Sequence, residues 1–144
     1  AGASHWPRLP MEVPMEAAQF TFKTDAFVDP PEKLKENVNG LAGHALATWI
    51  SAEARKRGFE VSPVWAEDHG WDFSVAHGGV KYLCACIIQD DEAGVREGGV
   101  VVEKTRSFMD RVLRRNALAA DDPVIAAMRA ALGADASIRE LTEE

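Results

Sequence analysis

Between Trp65 and Trp71 the chain reads Trp-Ala-Glu-Asp-His-Gly-Trp. Glu67, Asp68 and His69 are three consecutive groups able to act as acid, base or metal ligand, and His77 or Asp72 could join them from the neighbouring strand. Adjacent side chains diverge, so three residues in a row rarely converge on one ion. Acids beside turn formers such as Asp68 and Gly70 more often make a solvated turn. The two tryptophans close the edge of a core or, alternatively, anchor a partner, a role tryptophan often takes at interfaces. The predicted site is therefore a partner-binding surface of Trp65, Glu67, Asp68, His69 and Trp71. No catalytic set, metal or cofactor is assigned. The alternative reading is a small enzyme or metal-binding protein that uses the Glu67-Asp68-His69 loop with His77.

Other chemistry-bearing residues have ordinary structural explanations. Ser74 and Ser107 lack a G-x-S-x-G context. Neither a Walker motif nor G-x-G-x-x-G occurs, and Gly94-x-x-x-Gly98-Gly99 lacks the Lys-Ser/Thr that would make it a phosphate loop. Cys84 and Cys86 fall on one face of one strand, where a disulfide would strain the extended backbone. They read as small, buried, reduced thiols, which fits a reducing compartment. A Cys-x-Cys metal half-site would need further ligands, and there is no second cysteine pair. His44, on the flank of a helical apolar stripe, reads as a boundary histidine, and so does His77 before a glycine turn.

The net charge of -7 argues against a general nucleic-acid binder and against adsorption to anionic membranes. It suits solubility or a basic protein partner. No stretch approaches the roughly 20 apolar residues of a membrane span, and the start shows no basic segment followed by an apolar one. The expected location is the cytoplasm. Charge is also uneven. Glu67, Asp68, Asp72, Asp90, Asp91, Glu92, Glu97 and Glu103 crowd one region, and Lys104, Arg106, Arg111, Arg114 and Arg115 the next. Solvated faces are the commoner outcome of such runs; an acidic patch for a basic protein is the functional one.

The elements that must position the loop follow from periodicity. With 47% hydrophobic and 27% charged residues, 144 residues make one globular domain, assigned to 15–144. Residues 1–14 are set aside as a segment outside the domain, of native or added sequence, since Met11 and Met15 could each be a natural start. Phe20 and Phe22 alternate with Thr21 and Lys23 in a strand over about 18–24. Leu34, Val38, Leu41, Ala45 and Trp49 recur at helical spacing, with Asn39-Gly40 dividing a short first turn from a helix over 41–56, capped by Gly58. Phe59 and Val61, then Trp71, Phe73 and Val75, then Val80 to Ile88 form three strands of a meander. His77-Gly78-Gly79 supplies the tight turn between the last two.

The strand from Val80 to Ile88 is apolar on both faces after Lys81, so it is expected to be central and covered on both sides, or covered by a partner chain. Asp90 to Gly99 reads as an exposed loop, and Val100 to Val102 as a short strand or a first helical turn. Ser107 to Leu118 reads as a helix. Asp122-Pro123 opens a second helix that Gly133 ends, and Ala134 to Glu144 is a polar tail anchored by Ile138 and Leu141. The fold class is α+β: a two-layer sandwich with an antiparallel meander sheet of 4–5 strands, packed with the N-terminal helix and the C-terminal helices.

Glu67-Asp68-His69-Gly70-Trp71, entering a hairpin after a helix that ends Gly58-Phe59-Glu60-Val61, resembles small uncharacterised bacterial proteins that carry a Glu-Asp-x-Gly-Trp turn. The resemblance covers roughly residues 41–88. It implies an α+β fold and a bacterial cytoplasmic protein, and it implies no activity. The functional expectation is a small acidic, non-enzymatic interaction domain, in the manner of an adaptor, a secretion chaperone or an immunity protein. Self-association as a homodimer, through a sheet edge or the two-sided strand, is a third reading.

Overall fold

Strict alternation builds the first strand: in β1 (Ala17–Thr24) every second side chain, Ala18, Phe20, Phe22 and Thr24, is buried. The computed structural model describes residues 17–144; the segment 1–14 set aside above lies outside the described residues. After β1 come α1 (Pro31–Glu36), α2 (His44–Lys56), β2 (Glu60–Val61), β3 (Trp65–Glu67), β4 (Gly70–His77), β5 (Val80–Asp90), β6 (Arg96–Lys104), α3 (Phe108–Val112), α4 (Pro123–Ala134) and β7 (Ile138–Glu143). All seven strands join one antiparallel sheet in the order β2-β4-β5-β6-β1-β7, with β3 also pairing β4. The fold is mixed α and β as expected, but the sheet is larger than the expected 4–5 strands.

The extra strands have identifiable origins. Trp65 to Glu67, read from sequence as loop, pairs with the start of β4. The polar tail forms β7, which pairs with the outer edge of β1 and shifts register between Thr21 and Lys23, where Glu140 takes a positive φ of 53°. The valine triplet belongs to a strand that begins at Arg96, so the loop expected over 90–99 shrinks to the turn between β5 and β6. There Asp91 Oδ1 accepts the N–H groups of Ala93 and Val95.

One face of the sheet carries the core. Phe20, Phe22, Phe73, Val75, Tyr82, Cys84, Cys86, Ile88, Val100 and Val102 pack there with Leu46, Ala47 and Ile50 of α2 and Val124, Ile125, Met128 and Leu132 of α4. Both helices feed this single cluster, and they touch each other. Both therefore lie over one face of β5, the strand expected to be covered on both sides. Leu83, Ala85 and Ile87 point to the opposite face and stand outside the cluster.

Two capping aspartates start the long helices. Asp122 accepts the N–H groups of Val124 and Ile125 at the start of α4, where Pro123 needs no partner for its missing N–H. It also accepts Tyr82 Oη at 2.9 Å and Lys104 Nζ at 3.1 Å, tying α4 to β5 and β6. Asp29 performs the same task for α2 from outside the helix. Its carboxylate accepts Gly43, His44 and Ala45 N–H groups at 2.9, 2.9 and 2.7 Å. Val38, expected on the buried stripe, is 82% exposed, because the helical pattern breaks between α1 and α2. The helix expected over 107–118 is likewise reduced to α3, none of whose residues is buried.

Candidate functional site

The β3–β4 pairing shapes the acidic turn. Trp65 stands opposite Asp72 and Glu67 opposite Gly70, so Trp65, Glu67 and Asp72 share one face while Ala66 and Trp71 take the other. Trp65 Nε1 donates to Glu67 Oε1 at 2.7 Å. The indole stays 36% exposed beside the exposed Asp68 and His69. Gly70 is required at the corner. Its φ is +148°, and a Cβ there would lie 2.4 Å from the Cys86 carbonyl oxygen.

The turn rests on the segment between α1 and α2. Asn37 Nδ2 donates to the carbonyls of Glu67 and Gly70 at 2.7 and 2.9 Å. Its Oδ1 accepts the N–H groups of Asn39 and Leu41 at 2.9 and 3.3 Å, so one buried amide joins both segments. Asn39 Nδ2 donates to the Asp68 carbonyl at 2.6 Å. Trp71 Nε1 donates to the Leu41 carbonyl at 2.9 Å, and its ring meets His44 edge-on with centroids 4.9 Å apart. Periodicity marked Asn39-Gly40 only as a helix interruption. The signal for the brace was the asparagine pair itself, since Asn outside a helix tends to bond nearby backbone.

His69 is held between two carboxylates. Its Nε2 lies 2.7 Å from Asp72 Oδ1 and its Nδ1 lies 3.3 Å from Asp68 Oδ1. Asp72 is 1% exposed. Burial lifts its carboxyl above the ordinary aspartate value, and the hydrogen bond from His69 pulls it part of the way back. The hydrogen bond to buried Asp72 fixes one ring nitrogen, while the ring itself stays partly exposed beside Asp68. The turn can offer an apolar indole edge, carboxylates for a basic group, and a fixed backbone.

The structure thus brings together Trp65, Glu67, Asp68, His69 and Asp72, and separates two other candidates. Trp71 is 3% exposed and belongs to the core, so its side chain gives no surface to a partner; this corrects its assignment to the binding surface. His77 stands at the far end of β4, seven residues from Gly70, about 23 Å at the usual strand rise. There it packs against Phe59 with centroids 4.9 Å apart, so the loop-plus-His77 arrangement does not form. Among the described residues no group of three or more His, Cys, Asp or Glu is placed to hold a metal ion. Cys84 and Cys86 are buried with thiols pushed up by burial, the opposite of what a reactive cysteine needs.

Elsewhere, Lys23 bridges Asp91 and Glu97 at 2.5 and 3.1 Å and neutralises part of the acidic region. No helix among the described residues is long and apolar enough to cross a membrane. Comparison of the chain with protein-family models, with curated proteins and with solved structures gave no match.

Proposed function

We propose that this chain is a small, non-enzymatic interaction domain whose β3–β4 turn receives a basic segment of a protein partner. The observation that carries the reading is Trp65, a large apolar side chain 36% exposed beside Glu67 and Asp68 on a backbone braced by Asn37 and Asn39. A braced loop loses little conformational freedom on binding, which favours recognition. Tryptophan with adjacent carboxylates suits a lysine- or arginine-bearing segment, through ion pairing and contact with the ring. An adaptor, secretion-chaperone or immunity role would each call for such a protein-binding surface. Two buried free thiols accord with a reducing, cytoplasmic setting.

A photo-crosslinking residue at position 68, introduced in the cells the protein comes from, tests the reading. The expected result is a dominant adduct that disappears with Trp65→Ala while the melting temperature stays close to that of the parent. An adduct pattern indistinguishable from that of a probe at exposed Asp121 would sink it.

The His69–Asp72 contact favours one competing reading, a metal-binding protein or small enzyme at the same turn. It would require a third ligand brought in from solvent or substrate, since His77 is too distant. Native mass spectrometry with and without chelator separates the two: a chelator-sensitive mass increment lost in His69→Ala favours the metal, and a clean apo mass favours the interaction domain.

A further inference from the structure

The segment after β6 has the chemistry that the acidic turn would bind. Phe108, Met109, Val112 and Leu113 are 78, 50, 55 and 53% exposed. Their spacing of one and four residues places them along one side of a single helical turn. Residues 105–118 contain four arginines, Arg106, Arg111, Arg114 and Arg115, against one acid, Asp110, in a chain of net charge -7. The segment is also ordered from within. Ser107 and Asp110 form a reciprocal capping box, and Asp110 Oδ1 accepts Arg115 Nε at 2.9 Å and Asn116 Nδ2 at 3.1 Å. The Arg115 guanidinium holds the Asp110 carboxyl down at about 2. An exposed apolar stripe that is already shaped indicates a docking element.

We infer that α3 of one copy docks on the Trp65-Glu67-Asp68 turn of a second copy, and that two such contacts close a symmetric dimer. The inference rests on the reading of the turn as a recognition surface and names its partner. Charge complementarity supports the pairing: the stripe is edged by arginines, and the exposed indole by carboxylates. Position supports it too. Thr105, which leads into α3, bonds the Lys81 carbonyl at one end of β5, whereas Trp71 at the turn pairs with Cys86. Five residues of strand separate Lys81 from Cys86, about 17 Å. The lead into α3 and the turn are therefore set apart along the sheet, so the two contacts of a two-fold pair can form side by side, each α3 against the other copy's turn. Area favours two contacts over one. A stable association needs about 800 Å² per partner, of which four partly exposed side chains supply only a share.

Sedimentation analysis of the whole protein from micromolar to near-millimolar concentration tests this, with a charge swap. The parent protein should dimerise with rising concentration. Arg114→Glu and Asp68→Lys should each weaken dimerisation roughly tenfold or more, because each places like charges in both contacts. An equal mixture of the two should dimerise again, since both contacts are then complementary. Phe108→Ser should also yield monomer. All three positions are exposed, and unchanged thermal unfolding checks that the variants fold. A parent that stays monomeric throughout overturns the inference, as does a dimer that survives both charge variants or a mixture that fails to recover. Monomer together with a Trp65-dependent adduct to another protein at position 68 would overturn only the dimer and leave the turn as a recognition surface.

Discussion

His69 is best understood through the group it serves. Asp72 is buried with one carboxylate oxygen 2.7 Å from the ring. Its folded-state carboxyl lies above the ordinary value of about 3.9. A carboxyl raised on folding favours the folded state at acid pH, and that contribution is lost as pH rises through its folded value. His69 limits the loss by supplying a partner for the ionised form. His69→Ala should therefore cost about 1–2 kcal/mol at neutral pH, the penalty of a buried charged acceptor left unmet. The cost should shrink near pH ~4, where Asp72 increasingly holds its proton. Urea midpoints at the two pH values check this, and an equal loss at both would reject the account. The sequence showed His69 and its acidic neighbours but not its partner. Asp68 is adjacent in the chain and Asp72 three residues away, and only the β3–β4 pairing brings the more distant, buried carboxylate to the ring.

At the scale of elements, the long helices depend on acceptors of different legibility. Asp122-Pro123 was readable as a helix start because cap and first turn are contiguous. Asp29 was not, because 14 to 16 residues separate it from the N–H groups it accepts. Asp29→Ala leaves three donors at the positive end of α2 without their carboxylate, so it should lower stability by about 2 kcal/mol, at the upper end of the range for helix caps. Asp29→Asn keeps one acceptor oxygen and should lose less. Denaturant midpoints decide, and an alanine variant with parental stability would remove Asp29 from this role. β3 and β7 escaped a reading from periodicity for another reason. Three residues are too few to show alternation, and Ile-Arg-Glu-Leu-Thr-Glu has only two apolar positions. Each is a strand because a longer neighbour offers an unpaired edge. α3 is the converse: its apolar spacing matched a packed helix, but no other element among the described residues covers it.

For the molecule as a whole, one sheet face carries the stability. α2 and α4 seal the row that includes Cys84, Cys86, Val100 and Val102, while β1 lies between β6 and β7 and so joins the start of the described chain to its end. Opening the centre of β5 and β6 requires loss of the common core, whereas α3 can open alone. Native-state hydrogen exchange at low protein concentration should find the slowest amides in β5 and β6 and the fastest helical amides in α3. Protection of α3 equal to that of β5 would contradict this division.

Sequence by itself determined the local features: alternation in β1, β4 and β5, the Gly78-Gly79 hairpin, the helical stripe of α2, the cap of α4 and the acidic surplus. These follow from backbone sterics and from periods of two or 3.6, which act between close neighbours. Tertiary structure alone decided which face of the sheet is covered. It also buried Trp71 while leaving Trp65 partly exposed, sent His77 away from the turn, and left the apolar side of α3 in solvent. A side chain's face is fixed by its own strand, but whether that face is buried depends on elements distant in the chain. α2, α4 and the asparagine brace reach their places only when the chain closes on itself.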